Sequence, residues 1–158
     1  MCKLRVHLSL MPIATSSDYT DISSEKKTEE LAKKFQEKIK LGDVIFLHGE
    51  IGVGKTTFVR YLINRFQKIN NLELTEVTSP TFNILNEYKI NDIRINHYDL
   101  YRLKDLRELA DLNLFGNNQN LITVIEWPGI IKAKPKNLIE IFFKYNNDYS
   151  KRFLQIKS

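Results

Sequence analysis

The chain has 158 residues, of which 42% are hydrophobic and 27% charged, so it suits one domain with a buried core rather than a wholly disordered protein. No apolar run approaches the roughly 18 residues of a membrane-spanning helix, and the single cysteine, Cys2, excludes an intrachain disulfide, which fits a reducing cytoplasm. The net charge of +5 permits contact with nucleic acid or an acidic partner, but 17 Lys and 14 Asn against 7 Arg also fit A/T-rich codons.

The first 23 residues differ in pattern from the rest of the chain. Residues 1–13 combine Lys3 and Arg5 with apolar residues but lack the sustained apolar stretch of a signal peptide, so we expect a frayed tail or a first strand. Residues 16–24 are polar and predict a loop. We therefore expect an N-terminal extension over residues 1–23 and a single domain over residues 24–158.

A helix, a strand and a second helix are predicted next. After the polar loop, apolar residues recur every four positions as far as Gly42, which predicts an amphipathic helix capped at its start by Ser23 or Ser24. The continuous apolar run Val44–Leu47 predicts a strand buried on both faces. Residues 56–68 again show the apolar spacing of a helix.

The rest of the chain predicts hairpins, a short helix and another buried strand. In chain order these are a hairpin of residues 82–88 and 93–98 around Asn91-Asp92, a helix over 104–112, a strand over 121–125, and a hairpin of 138–145 and 152–156. Strands that alternate with helices, together with hairpins, indicate an α/β domain with a mixed, mainly parallel sheet and flanking helices.

A phosphate-binding motif, G-x-x-x-x-G-K-[ST], lies between the first predicted strand and the second predicted helix. Its glycines let backbone N–H groups surround a phosphate, its lysine reaches the β and γ phosphates, and its Thr hydroxyl can ligate Mg²⁺. Chance would produce it in below about 1% of chains of this length. The motif predicts a P-loop NTPase-like fold that binds ATP and Mg²⁺ through Gly49, Glu50, Ile51, Gly52, Val53, Gly54, Lys55, Thr56 and Thr57.

Two acidic residues follow predicted strands. Asp99 comes after the strand over 93–98, and Glu126 comes after the strand over 121–125. Strand ends of this kind lie at the edge where α/β sheets bind ligands. We therefore predict Lys55, Asp99 and Glu126 as catalytic residues, with Thr56, Asp99 and Glu126 as the metal ligands.

Four further residues near these positions each allow two interpretations. Thr81 either senses the γ-phosphate or belongs to a plain loop-to-strand junction. Arg102 either contacts phosphate or is solvated at the surface. Trp127 either stacks on a base or a partner or packs in the core, and we predict it among the nucleotide-binding residues together with Thr81. His97 is predicted to be structural rather than catalytic.

Four sequence blocks together resemble the TsaE family, also called YjeE. The blocks are Gly49 to Thr57; Ser79-Pro80-Thr81-Phe82 leading to Asn86-Glu87-Tyr88; His97-Tyr98-Asp99-Leu100-Tyr101-Arg102-Leu103; and Ile125-Glu126-Trp127-Pro128. The first block is generic, whereas the order and spacing of the other three are specific to this family. The resemblance covers about residues 24 to 145. Residues 1–17 resemble an addition to the family's usual start, with Met11 a candidate initiator, and residues 104–109 lack the proline that the family has there.

The resemblance implies a small bacterial P-loop ATPase of the pathway that forms threonylcarbamoyladenosine beside the anticodon of tRNA. Such proteins associate with the TsaD and TsaB proteins in the cytoplasm, and any tRNA contact would be indirect. Carried onto this chain, Asp99 is the Walker-B-like acid, Glu126 lies close to the metal or the attacking water, and Trp127 lies near the nucleotide or partner. We expect a weak Mg-dependent ATPase in isolation, because Arg102 is the only arginine near the motifs.

Two other functions fit the same phosphate-binding motif. A small P-loop nucleotide kinase would need an acceptor-binding insert and an arginine-rich lid, but the 7 arginines are not clustered and the chain has little spare length. A non-hydrolysing, ATP-dependent docking module would use the same motif, since binding and hydrolysis share it.

Overall fold

A seven-stranded sheet forms the centre of the protein, with helices connecting its strands. The computed structural model describes residues 18–115 and 120–158. Its elements in chain order are β1 (Thr20–Asp21), α1 (Glu25–Gln36), β2 (Val44–His48), α2 (Lys55–Ile69), β3 (Leu85–Ile90), β4 (Ile93–Asp99), α3 (Leu106–Asp111), β5 (Leu121–Glu126), a 3₁₀ turn (Pro128–Ile130), β6 (Leu138–Tyr145) and β7 (Arg152–Lys157).

The strand order confirms the predicted mixed α/β fold. The order is β1-β7-β6-β2-β5-β4-β3. The four central strands, β6, β2, β5 and β4, pair in parallel, whereas β7 and β3 are the antiparallel partners of β6 and β4. Both predicted hairpins are therefore present. Within the part of the chain that the structure describes, no helix is long and apolar enough to cross a membrane.

Two apolar clusters cover the two faces of the sheet. Side chains of β2 alternate between them, so that Ile45 and Leu47 lie in the cluster with α1 and α2, and Val44 and Phe46 lie in the other. This alternation is why a continuous apolar run correctly predicted a strand buried on both faces. On the first face, Phe58 and Leu62 of α2 are fully buried.

The first helix ends at Gln36, so the predicted continuation to Gly42 is wrong. Its start agrees with prediction, because the Ser24 hydroxyl caps it by accepting from the Lys27 N–H. After the helix, the Asp43 carboxylate accepts the Lys40 N–H at 2.7 Å and holds the turn that directs the chain into β2. Ile39 still packs on the core from outside the helix, which is why the apolar spacing extends beyond the helix end.

The third strand begins at Leu85, not at Phe82 as the alternating pattern predicted. The Ile84 N–H donates to the Pro80 carbonyl at 2.6 Å, which closes a turn where the strand was expected to start. Ile84 has a φ of +66°, a conformation that is strained for a β-branched residue. Phe82 lies on this turn with 84% of its surface exposed.

The N-terminal segment joins the far edge of the sheet. The loop predicted for residues 16–24 contains β1, in which Thr20 pairs with Leu154 of β7, and the next residue, Ile22, is buried. The predicted tail or first strand, with Cys2 and Met11, lies outside the described residues. The domain boundary at residue 24 stays a prediction.

Candidate nucleotide site

The P-loop connects β2 to α2 through residues 49–54. Gly49 lies so close to β6 that an added Cβ would be 2.8 Å from the Phe143 carbonyl oxygen. Gly54 has a φ of +113°, which L side chains rarely adopt, at the residue just before α2. Glycine is therefore required at both ends of the loop, once for space and once for backbone conformation.

The first turn of α2 faces this loop. Its N-cap is Gly54, the turn has no acidic residue, and no side chain among residues 18–115 and 120–158 caps it. Backbone N–H groups at a helix start have no intrahelical acceptor and carry the positive end of the helix dipole. The loop and helix start together form a site suited to an anion such as a phosphate.

Lys55 brings a buried cation to the same place. Only 4% of its surface is exposed, and its Nζ donates to the carbonyls of Gly49 and Glu50 at 2.8 and 2.9 Å. The nitrogen also lies 4.0 Å from the centre of the Trp127 ring. Burial lowers the pKa of Lys55, and the negative charges of Glu126 and Asp99 oppose that shift.

The two predicted acids meet at the carboxyl edge of the sheet. Asp99 and Glu126 are the last residues of β4 and β5, and they are partners in the register of these parallel strands. Their exposed fractions are only 3% and 2%. The structure therefore brings both acids to the end of the sheet where the P-loop also lies.

Glu126 is held by two side chains from different elements. Its Oε1 accepts a hydrogen bond from the Thr56 hydroxyl of α2 at 2.8 Å. The same oxygen lies 2.9 Å from Nε2 of His97, which is on β4 and has no exposed surface. His97 was predicted to be structural, and it contacts one of the predicted catalytic acids.

Asp99 is held mainly by the loop before β3. Its Oδ2 accepts hydrogen bonds from the hydroxyls of Ser79 and Thr81 at 2.6 and 2.8 Å. Its Oδ1 accepts the Tyr101 N–H at 3.0 Å. Thr81 therefore contacts the predicted acid directly, which a plain junction would not require.

A cavity of about 280 Å³ gathers most of the predicted site. It is lined by Ile51, Gly52, Gly54, Lys55, Thr56, Thr57, Ser79, Thr81, Asp99, Tyr101, Glu126 and Trp127. Gly49 and Glu50 instead present their carbonyls to Lys55. The Val53 side chain is fully buried in the core, so only the backbone of this predicted residue can face a ligand.

Trp127 lines the cavity, and Arg102 does not. The indole is held by a backbone in the left-handed region, with a φ of 58°, and its ring centre lies 4.9 Å from that of Tyr101. The Arg102 guanidinium lies 5.2 Å from the centre of the exposed Phe82 ring. Among the described residues that line the cavity, none is an arginine.

Sequence reasoning missed Ser79, Tyr101 and His97 as parts of the site. Ser79 lies in the same short block as Thr81, and His97 lies two residues before Asp99, so both share a motif with a predicted residue. Alternation along a strand places residues i and i+2 on one face, which is a usable signal for His97. Tyr101 also shares a motif with Asp99, but it follows the end of the strand, so alternation along the strand does not identify it.

The oxygen donors at the site fit Mg²⁺ bound with a nucleotide. Thr56 supplies a hydroxyl, and Glu126 and Asp99 supply carboxylates, all hard oxygen ligands. No group of three or more His, Cys, Asp or Glu residues suited to a metal occurs in the described ranges. Mg²⁺ commonly takes one or two carboxylates together with phosphates and waters, so this donor set is of the usual kind.

Comparisons with known proteins agree on one family. The family model for "Threonylcarbamoyl adenosine biosynthesis protein TsaE" matches residues 22–153. A TsaE protein of Rickettsia bellii is 41% identical over 130 residues, which is 82% of this chain and 88% of that protein. One of Bacillus subtilis is 32% identical over 125 residues, 78% of this chain and 75% of that protein. The crystal structure of Bacillus subtilis YdiB matches the fold with a TM-score of 0.62 at 24% identity, covering 88% of this chain and 83% of that one.

Proposed function

This chain belongs to the TsaE family and acts in tRNA threonylcarbamoyladenosine biosynthesis, and we propose that in this pathway it binds ATP with Mg²⁺ and hydrolyses the ATP slowly. One observation carries the proposal: Lys55 and Thr56 of the P-loop line the same cavity as Asp99 and Glu126. A cation, a hydroxyl and two carboxylates in one buried site are the parts that phosphoryl transfer uses.

Lys55 and the start of α2 would bind the phosphates. The Lys55 nitrogen donates to two neutral carbonyls, and a phosphate oxygen is a stronger acceptor for an ammonium group than a carbonyl is. We therefore expect this nitrogen to turn from the loop carbonyls to the phosphates. The N–H groups of the loop and the first helical turn would supply further donors.

Thr56 and Glu126 would hold Mg²⁺, because their oxygens already lie 2.8 Å apart and both line the cavity. Bound there, Mg²⁺ would neutralise charge on the phosphate oxygens. Asp99 was predicted as a third metal ligand, but its carboxylate contacts Ser79 and Thr81 rather than Thr56, so we propose instead that it would orient the attacking water. In this proposal the two acids have different tasks.

The isolated protein should be a poor ATPase, because none of the described cavity-lining residues is an arginine. In P-loop switches, an arginine aimed at the transferring phosphoryl group is worth about 10³- to 10⁵-fold in rate. We propose that the TsaD and TsaB proteins supply or order such a group. Exposed apolar side chains beside the cavity, Ile51, Tyr101 and Phe82, offer a surface for that contact.

We propose that the protein works in the cytoplasm and that any contact with tRNA is indirect, through its partners. A nucleotide kinase needs an acceptor-binding insert, whereas in the described part of the β4–β5 connection the only helix is the six-residue α3. That connection favours an ATPase.

Replacing the P-loop lysine tests the nucleotide site. Lys55→Ala should abolish tight ATP binding, measured by calorimetry, and lower phosphate release by at least about 10²-fold, because no other described P-loop side chain supplies a cation. Lys68→Ala is the matched control, since Lys68 lies on the same helix but is exposed and paired with Glu29. Wild-type turnover by Lys55→Ala would show that the P-loop is not the ATP site.

Adding the candidate partners tests the catalytic part. Phosphate release should rise when TsaD and TsaB are mixed with the chain and ATP, and the proteins should co-elute in an ATP-dependent way. ATP-dependent co-elution without phosphate release would instead support a non-hydrolysing docking module. Equal turnover by the isolated chain and the assembly would contradict the need for a partner.

A further inference from the structure

His97 is a buried polar residue whose position is not explained by packing alone. Its side chain has no exposed surface, and its strand neighbours two residues away on either side are the buried Ile95 and Asp99. Its Nδ1 is buried without a hydrogen-bond partner among the described residues. A buried polar atom without a partner costs stability, so an apolar side chain would serve better here if packing were the only role.

The contact made by the other ring nitrogen, Nε2, explains why a histidine occupies this buried position. Nε2 lies 2.9 Å from Oε1 of Glu126, and a carboxylate oxygen can only accept a hydrogen bond. With the carboxylate ionised, this contact therefore requires a hydrogen on Nε2. Oε1 also accepts from the Thr56 hydroxyl, so β4 and α2 each donate to the same oxygen.

Glu126 has a particular need for this second donor. A glutamate side chain has one more rotatable bond than an aspartate, and each fixed bond costs conformational entropy. Asp99, the shorter acid beside it, is held by two hydroxyls and a backbone N–H. A donor from a rigid central strand would keep the longer Glu126 carboxylate in one orientation before any ligand binds.

We propose that His97 is a positioning residue: its Nε2–H holds the Glu126 carboxylate in the orientation in which Glu126 and Thr56 bind Mg²⁺ with the nucleotide. This inference rests on the proposed function, because it assigns the metal to that pair. His97 acts only through Glu126, since it does not line the cavity. Loss of such a supporting hydrogen bond typically lowers metal affinity about 10- to 100-fold.

The test measures how strongly Mg²⁺ and nucleotide favour each other's binding. Calorimetry gives the affinity for the non-hydrolysable ATP analogue adenylyl imidodiphosphate in Mg²⁺ and in EDTA, and the ratio of the two is the Mg²⁺ coupling. His97→Asn should lower this ratio about 10- to 100-fold, because its amide nitrogen lies near the Nδ1 position and cannot reach Glu126. His97→Gln should restore most of it, because its amide nitrogen lies near the Nε2 position.

If His97 only supported the fold, its replacement would change the two analogue affinities in another way. It would weaken analogue binding equally in Mg²⁺ and EDTA, and the unchanged ratio would overturn the inference.

One measurement needs no variant and so does not depend on whether the variants fold. Nitrogen-15 NMR of the wild-type protein should show His97 as the Nε2–H tautomer, and the Nδ1–H tautomer would overturn the inference. Failure of the proposed function is distinct from these outcomes: the wild-type chain would then bind the analogue neither in Mg²⁺ nor in EDTA, and both proposals would fall together.

Discussion

The two carboxylates of the site occupy equivalent positions in the sheet but are held by different kinds of structure. Glu126 is bonded by side chains of a helix and a strand, Thr56 and His97. Asp99 is bonded by Ser79 and Thr81, which belong to an irregular loop. The sheet register thus sets where both acids lie, whereas the neighbouring elements decide how firmly each one is held.

The loop beside Asp99 combines a strained backbone with an exposed aromatic ring, whereas the positive φ on the Glu126 side belongs to Trp127, which lines the cavity. The loop includes Ile84 with its positive φ, and Phe82, whose ring is almost fully exposed under Arg102. Strained, exposed backbone of this kind is common in segments that change on binding. The comparison therefore indicates that a partner would act on the Asp99 side, while the Glu126 side stays fixed.

Removing each acid charge should give the largest effects and should separate the two sides. Glu126→Gln and Asp99→Asn should each lower partner-stimulated ATP hydrolysis by about 10²-fold or more while the fold, followed by circular dichroism, is kept. Glu126→Gln should also lose the Mg²⁺ dependence of analogue binding, and Asp99→Asn should keep it. Normal hydrolysis by both variants would make these acids ordinary residues of the sheet edge.

The Glu126 side of the site, which we expect to stay fixed, can be tested through Gly49 at the start of the P-loop. Gly49→Ala should lower the free energy of unfolding by about 2 kcal/mol or more, because the new Cβ meets the Phe143 backbone. Gly129→Ala, where a Cβ meets nothing within 4 Å, should stay within about 0.5 kcal/mol. Urea denaturation measures both, and equal stability of the two variants would show that this part of the loop adapts.

The loop side can be tested through its hydroxyls. Ser79→Ala and Thr81→Ala each remove one donor to Asp99, so each should lower the partner-induced rise in phosphate release about tenfold, in line with about 1.5 kcal/mol for a bond to a charged group. ATP affinity should change less than the rise does. Thr81→Ser keeps the hydroxyl and serves as control; if it behaves like Thr81→Ala, the methyl group rather than the bond to Asp99 matters.

Replacing Trp127 should have the smallest effect, because its ring contacts Lys55 and Tyr101 without bonding to Asp99 or Glu126. Trp127→Ala removes the ring over which Lys55 lies, a contact worth about 0.5–2 kcal/mol, and should reduce the partner-induced rise more than ATP binding. Trp127→Phe keeps an aromatic face and should lose less. A Trp127→Ala protein that responds normally to the partners would remove this residue from the partner surface.

Sequence patterns predicted the parts of the fold that local chemistry determines. The apolar run before the P-loop predicted β2. The acids that follow two other apolar runs predicted which residues lie at the sheet edge. Both predictions were possible because burial and strand ends can be recognised within one segment of sequence. The end of α1 was wrong because Ile39 is apolar to meet the core rather than to continue the helix. The start of β3 was wrong because alternation also occurs in the Pro80–Ile84 turn.

The contacts within the site were less accessible to prediction. Asp99 and Glu126 could be assigned to one edge, but which donor reaches which oxygen depends on how α2, β4 and the Ser79–Thr81 loop pack around them. His97 illustrates this limit. Its residue type and spacing fit a structural histidine, and only the tertiary structure shows the bond to Glu126.

The short first strand has a consequence for how the protein behaves among its neighbours. Edge strands expose unpaired backbone groups that can pair with another molecule and lead to aggregation. At one edge, β3 carries the exposed charges of Glu87 and Lys89, which oppose such pairing. At the other, the described residues that cover β7 are Thr20 and Asp21 of β1, Ile22, whose N–H donates to the Arg152 carbonyl, and Ser23, whose hydroxyl accepts the Arg152 N–H. Removing these few residues would expose the backbone groups of β7 and allow this edge to pair with another molecule.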